Sequence, residues 1–344
     1  MARQQKVTIK EVAKAAGVST QTVSRVINSR PDVSPETQKK VQHVIDDLGY
    51  SPNVIARSLV RGRSNTLGVV GYGLGYFGPT SILKGIEKRS YNLGFSLLLS
   101  LLDDFDPSYI HTITENLLSR QVEGIIWAVP GNDRLAGNLS VRFKEAPVPI
   151  VFLNKSRRFN DLVVALDNQD GARLATQHLL SQGYRCVGII TGPSDWWEAQ
   201  QREVGWRQVM LDTEIGDLNK LKVVGDWSAH SGNIGLRDLL AKSPQIDAVF
   251  ASNDQMALGA LQAARQMGIK IPQELGIVGF DDIPEAAYFY PALTTIRQDA
   301  EELGAQAVDQ MCNSLQARHQ GEEYRSDVVW IKPELIVRNS SIRA

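Results

Sequence analysis

The sequence predicts an all-α helix-turn-helix headpiece joined to an α/β body of two doubly wound lobes. Three observations carry this. Residues 7–49 hold three short apolar runs at helical spacing, each with recognisable start or stop residues. From Asn65 onward, short apolar strand-like runs alternate with amphipathic helical ones, the signature of parallel sheets covered by helices. The charge is also split: residues 1–64 carry 11 Lys and Arg against 5 Asp and Glu, a net of +6 in a chain whose total is −1, which leaves −7 on the body.

In the first run Thr8 and Glu11 form a capping box, and Ile9, Val12 and Ala13 share one face. Gly17 suits the left-handed turn that ends this helix, and Ser19 can cap the next. There Val23, Val26 and Ile27 face inward, leaving Thr20, Gln21, Thr22 and Arg25 outside as a row of hydrogen-bonding groups suited to base edges and phosphates. An ordinary helical hairpin with a polar face has the same pattern. Ser34 followed by Pro35 starts a third helix, whose stripe is Val41, Val44, Ile45 and Leu48, and Gly49 stops it. A basic headpiece on an acidic body suits phosphate neutralisation by the headpiece alone.

The body supplies strand patterns at 66–71, 96–102, 124–129, 148–153 and 162–166, with helical patterns at 81–93 and 110–120. A second series follows, with helices at 171–183, 199–211, 229–240 and 256–267 and strands at 186–191, 221–224, 248–251 and 276–280. Two such series end to end place a ligand between lobes, near the carboxyl ends of the strands. The 344 residues and 43% apolar content support cores of this size. No stretch is long enough to span a bilayer, and the N-terminus lacks a secretory segment, so a cytoplasmic location is expected. Cys186 and Cys312 are too few and too far apart for a disulfide framework or metal site and read as small buried residues.

Enzyme chemistry finds little footing. The five histidines form no spaced pair, and there is neither a Gly-x-Ser-x-Gly elbow nor zinc-ligand spacing. Gly73, Gly75 and Gly78 do spell G-x-G-x-x-G between a strand and a helix, as in dinucleotide-binding folds. That single match keeps open an NAD-dependent oxidoreductase fused to a headpiece. A sugar-binding protein without a regulatory role is the other alternative. No cofactor is expected on the main reading.

The segments VTIKEVAKAAGVSTQTVSRVIN, VSPETQKKV, LGYSPNVIARSL, SNDQMALGAL and VGFDD, in this order over nearly the whole chain, resemble the lactose/galactose repressor family of bacterial transcription regulators. The resemblance implies a headpiece at 1–50, a hinge helix and linker at 51–64, and a periplasmic-binding-protein-like body at 65–344. Its three crossings would lie near Asn160, Pro291 and Gln320, giving one lobe 65–160 with 294–318 and the other 161–291 with 321–340. It implies a homodimer on a palindromic operator, with Thr20, Gln21 and Arg25 on bases and Ser19, Thr22, Asn28, Tyr50 and Asn53 on phosphates. In the hinge, Ala56 and Leu59 would meet DNA, Leu59 as a minor-groove wedge.

For the small-molecule effector, Arg202, Asn253 and Asp281 match the family's polar contacts, and Trp227 matches the aromatic platform of its lactose-type subgroup. Tyr72, Tyr76 and Phe77 would line the same cleft. The chain departs from that subgroup at Tyr72, Trp196 and Glu198, where small residues and serines are usual, and at Asn132, which replaces a carboxylate. A more aromatic pocket of this kind fits a sugar, as a glycoside or disaccharide. The subgroup's heptad tail is missing, so a dimer is expected.

Overall fold

In the computed structural model, residues 7–27, 30–50, 63–102, 106–129, 131, 143, 146–157, 160–213 and 215–343 are described. The chain divides into two compact units, Met1–Ser64 and Asn65–Ala344. Asn28, Asn53, Ala56, Leu59 and Asn132 lie outside the described residues.

The first unit is built from α1 (Ile9–Ala16), α2 (Thr20–Ile27) and α3 (Pro35–Leu48). Both halves of the Thr8–Glu11 capping box form, and Gly17 ends α1 at φ 65°. Ser19 accepts from the Thr22 amide at 3.0 Å, and Ser34 accepts from Thr37 at the start of α3. Val12, Ala13, Ala16, Val23, Val26, Val41 and Ile45 close the core, with Ile9, Ile27, Val44 and Tyr50 packed at its edge. Leu48 is 38% exposed and falls off the expected stripe, because it sits in the last turn beside the left-handed Gly49.

The second unit holds two six-stranded sheets. Its first series runs β1 (Thr66–Gly71), α4 (Phe77–Asn92), β2 (Ser96–Leu101), α5 (Pro107–Ser119), β3 (Gly124–Ala128), β4 (Ile150–Leu153) and β5 (Leu162–Leu166). The second runs α6 (Asn168–Ser181), β6 (Val187–Thr191), α7 (Trp197–Leu211), β7 (Lys222–Val224), α8 (Ala229–Lys242), β8 (Ala248–Ala251), α9 (Asp254–Gln266), β9 (Gly276–Asp281) and β10 (Thr294–Arg297). The chain then makes α10 (Ala300–His319), β11 (Val329–Ile331) and β12 (Glu334–Ile336). Strand order is β11-β5-β4-β3-β1-β2 in one sheet and β12-β10-β9-β8-β6-β7 in the other, parallel except for the β10–β12 pair. The inner strands β3, β4, β5, β6, β8 and β9 are apolar and buried on both faces, as parallel sheets between helices require.

The crossings differ from those expected. β5 pairs with β4, so the first lobe runs on through Leu166 rather than stopping near Asn160. β10 pairs with β9, so 294–297 close the second sheet, and the return to the first lobe comes only at α10, which packs on β3, β4 and β5. β11 pairs with β5 and restores residues 329–331 to the first lobe, while β12 returns to the second. A short apolar strand fits either sheet equally, so its partner is chosen by the assembled fold and not by its own sequence.

Glycines let three helix pairs meet backbone to backbone. A Cβ on Gly259 of α9 would sit 1.8 Å from the Ala229 carbonyl oxygen, and one on Gly232 of α8 would sit 2.0 Å from that of Met256. Gly85 of α4 and Gly304 of α10 make the same reciprocal contact in the first lobe, and Gly205 of α7 approaches the Gln169 carbonyl of α6.

Cys186 is buried and Cys312 half-buried. Burial and the nearby Asp247 push the Cys186 thiol up to about 11, so thiolate is scarce at pH 8. Iodoacetamide at pH 8 is therefore expected to label Cys186 only after unfolding; rapid labelling of the folded chain, read by mass spectrometry, would refute its burial.

Candidate functional site

A cleft of about 740 Å³, open solvent included, opens between the two sheets of the second unit. It is lined from the carboxyl ends of the strands, where loop backbone and side chains are free to face a ligand. The first lobe contributes Tyr76, Phe77, Gly78 and Pro79 after β1, Ala128 and Val129 at β3, Leu153 and Asn154 at β4, and Leu166 at β5. The second contributes Trp196, Glu198 and Arg202 from α7, Trp227 after β7, Asn253 and Gln255 after β8, and Asp281 at the end of β9. Gln298 lies on the second crossing, where the chain leaves β10.

Arg202 is the hub. It is 4% exposed, its Nε donates to Asn168 Oδ1 at 2.8 Å, one terminal nitrogen donates to the Ser252 carbonyl, and the other reaches Gln298 Oε1 at 3.5 Å. Asp281 stands 3.8 Å from the guanidinium and accepts from the Gln298 amide. The guanidinium lies 3.7 Å from the Phe280 ring centroid, so it is held flat between an aromatic ring and fixed acceptors. Each of its three nitrogens thus has a protein acceptor. Burial pushes the Asp281 carboxyl up to about 7, with Arg202 and Gln298 opposing that rise. Asp281 holds φ at 117°, a conformation unusual for a residue with a Cβ, which turns its side chain back toward Arg202.

Asn253 does both things its position allows. Its oxygen caps α9 by accepting from Met256 at 2.8 Å, while its amide donates to the Trp227 carbonyl at 3.0 Å. That second bond fixes Trp227, itself at φ 72°, against Gly192, where any Cβ would strike the indole. Trp196 is edge-on to Trp227 at 5.6 Å, to Tyr76 at 5.7 Å and to Tyr72 at 5.8 Å. An aromatic cluster thus crosses from one lobe to the other. Tyr72 stands behind Trp196 and is not itself among the lining residues, so its expected place in the wall is taken by its neighbour.

The three tryptophans of α7 and its cap separate cleanly. Trp196 lines the cleft; Trp206 is fully buried with its Nε1 donating to Val187 at 3.0 Å. Trp197 leaves its own lobe, packs into the core of the first and donates to Ser156 at 3.2 Å. Two polar atoms in the wall have no protein partner: Trp227 Nε1 and Glu198 Oε2. Glu198 is half-buried as a residue, yet that oxygen is sealed from solvent, and desolvation raises its pKa against the pull of Arg202 and Asn154.

The glycine-rich loop carries two aromatic residues into the cleft. Tyr76 donates its amide to the Gly73 carbonyl at 2.9 Å, α4 starts at Phe77, and Gly78 falls inside its first turn. The loop serves to bring Tyr76 and Phe77 to the cleft. Asn154, Gln298 and Gln255 were not foreseen as lining residues. Asn154 reads as loop, although its φ of 47° and its acceptance of the Leu166 amide at 3.0 Å hold it in place.

In the first unit Ser19, Thr20, Gln21 and Arg25 are exposed on α2, and Thr22 is half-buried against Ser19. Arg25 reaches Asp32 at 3.5 Å, an exposed pair of little energetic weight and easily traded for another anion. Tyr50 packs at the core edge. Among the described residues no cluster of metal-ligating side chains occurs, and no helix is long and apolar enough to cross a membrane.

Comparison with known proteins matches residues 8–53 to the bacterial regulatory proteins, lacI family, and residues 176–341 to a periplasmic binding protein-like domain. The lactose operon repressor of Escherichia coli (strain K12) is 33% identical over 305 residues, covering 89% of this chain and 84% of that one. The HTH-type transcriptional repressor PurR of Haemophilus influenzae (strain PittEE) is 32% identical, covering 97% and 98%. Among solved structures, the lac repressor dimer bound to operator and the anti-inducer ONPF superposes with a TM-score of 0.87 at 31% identity, covering 99% of this chain and 100% of that one. The transcriptional regulator CelR–cellobiose complex gives 0.70 at 30% identity, covering 97% and 99%.

Proposed function

This chain belongs to the lacI family of bacterial regulatory proteins, and from that premise we propose that it is a dimeric repressor of carbohydrate-utilisation genes, released from a palindromic operator by a sugar bound between its lobes. The observation that carries the sugar reading is the cleft itself. A clamped guanidinium, the Asp281 carboxyl and the Asn253 amide face an aromatic wall of Tyr76, Trp196 and Trp227. Ring hydroxyls need paired donors and acceptors, while the apolar face of a sugar needs a flat aromatic surface. The operator-bound lac repressor and the cellobiose-bound CelR support the same assignment.

On DNA, Thr20, Gln21 and Arg25 read base edges from the exposed face of α2, and Ser19, Thr22 and Tyr50 hold phosphates. Asn28, Asn53, Ala56 and Leu59 extend that surface on the strength of the sequence resemblance alone. Gln21→Ala is expected to weaken operator binding by about 1–3 kcal/mol, with sugar affinity unchanged. Gel-shift titration at fixed salt reads it, and equal affinity of variant and parent removes Gln21 from the readout set. The functions of Asn253 and Asp281 follow from strand-end placement, where they bind the sugar as well as shaping the fold.

Sugar binding opposes DNA binding only if the two lobe arrangements differ in affinity for it. A thermal-shift screen of the full chain against neutral mono- and disaccharides, purines and NAD(P) tests the whole reading. A shift with a sugar, followed by loss of operator affinity in its presence, supports it. A shift with NAD(P) alone would return the glycine-rich loop to a cofactor role, and a shift with a purine alone would move the site to nucleobases.

A further inference from the structure

Arg202 is the cleft's cation among the described lining residues, and two carboxyls, Glu198 and Asp281, share the space with it. A cleft made to hold a phosphate or carboxylate on an arginine would leave the guanidinium edge free for a bidentate grip. Here the reverse holds. Each of its three nitrogens already has a protein acceptor, and Asp281 takes up the neighbouring charge at 3.8 Å. Behind Asp281 lies the buried carboxyl of Asp254, bound by the Thr295 hydroxyl at 2.5 Å and the Ile283 amide at 2.9 Å, and burial with Asp281 nearby pushes its pKa well up.

Glu198 is less fully held: Asn154 bonds its side chain, but one carboxyl oxygen stays unmet. It lies one helical turn from Arg202 on α7, its Oε2 is sealed from water, and no protein donor meets that oxygen. A buried acceptor of this kind is costly unless something in the bound state donates to it. The Trp196 ring, two positions before it in the chain, lines the same wall.

We infer that Glu198 restricts the effector to uncharged sugars: it accepts a hydroxyl of the bound ligand and bars phosphorylated and acidic sugars from the cleft. This rests on the sugar reading above and narrows it. A hydroxyl supplies the missing donor, whereas a phosphate or carboxylate brings an anion beside two carboxyls, with the one cation among the described lining residues already bonded at each nitrogen.

The test is isothermal titration of the full chain with neutral disaccharides, cellobiose and lactose first, against their 6-phosphates and inorganic phosphate. The parent should prefer a neutral sugar over its phosphate by at least about 100-fold, as expected of a buried like-charge contact. Glu198→Gln removes the charge at constant shape and Glu198→Ala removes the group altogether. Both should weaken the neutral sugar and narrow the ratio by about 10-fold or more. Equal binding of a sugar and its phosphate by the parent, or a ratio unchanged in both variants, overturns the inference while leaving the sugar reading intact. If sugars of neither class bind while a purine or NAD(P) does, the sugar reading itself fails and this inference with it.

Discussion

Replacing Arg202 with alanine is expected to abolish the response to the sugar while leaving operator affinity in place. The variant loses the guanidinium that lines the cleft. It also strips Asn168, the Ser252 carbonyl and Asp281 of their shared partner in the interior. Removing one member of a buried ion pair costs about 3–5 kcal/mol, because the other is left without compensation. Lysine should not rescue it, since a point charge cannot span three acceptors in a plane. The cost carries a pH signature. Asp281 titrates at about 7 with the guanidinium beside it, above the ordinary 3.8. Its ionised form is therefore disfavoured by folding, and the penalty grows as pH rises until the folded group ionises. Without Arg202 the carboxyl moves higher still, so this part of the variant's deficit appears above about pH 7. Melting curves at pH 6 and pH 8.5 measure it, and a sugar response that survives the substitution removes Arg202 from the site.

A large effect on stability is also expected at a residue with no side chain. Gly259→Ala places a methyl 1.8 Å from the Ala229 carbonyl oxygen, a contact with rigid backbone that no rotamer relieves. α8 and α9 must separate, which disturbs their apolar seam in the second lobe's core. The cost is about 3 kcal/mol or more, at the upper end for overpacking. That corresponds to a melting temperature lower by about 6–10 °C. Gly216→Ala is the control, since a Cβ there meets nothing within 4 Å. It should be neutral or slightly stabilising, by up to about 1 kcal/mol, through loss of unfolded-state freedom. Equal melting temperatures for the two variants would mean the helices do not meet at Gly259.

Much of this was legible in the chain because it is local. Caps at Thr8, Ser19 and Ser34, the left-handed glycines, and the alternation of strand and helix each depend on residues a few positions apart. The strand-end positions of Asn253 and Asp281, and the place of Arg202 on the helix after β6, followed from the same alternation once the family resemblance was in view. What escaped was non-local. The sheet to which 162–166, 294–297 and 329–331 belong depends on partners far away in sequence, and so did Gln298, which reaches the cleft only because the chain crosses there. Asn154 was missed for a related reason: an asparagine after a strand is common in turns, and only the closing of the other lobe makes it part of a wall.

The four-part threading of the lobes also has a consequence for synthesis. The first lobe's core is completed by Leu303, Ala307, Val308, Met311 and Leu315 of α10, and its sheet by β11, both translated after nearly all of the second lobe. Domains emerging from the ribosome usually fold in order, N-terminal first. Here the headpiece can do so, but the first lobe must wait, with the apolar strands β1, β3, β4 and β5 made and one flank uncovered, until residue 331 has left the exit tunnel. A nascent chain stalled before α10 should therefore display a folded headpiece, a nearly complete second lobe and a first lobe open to chaperone or protease.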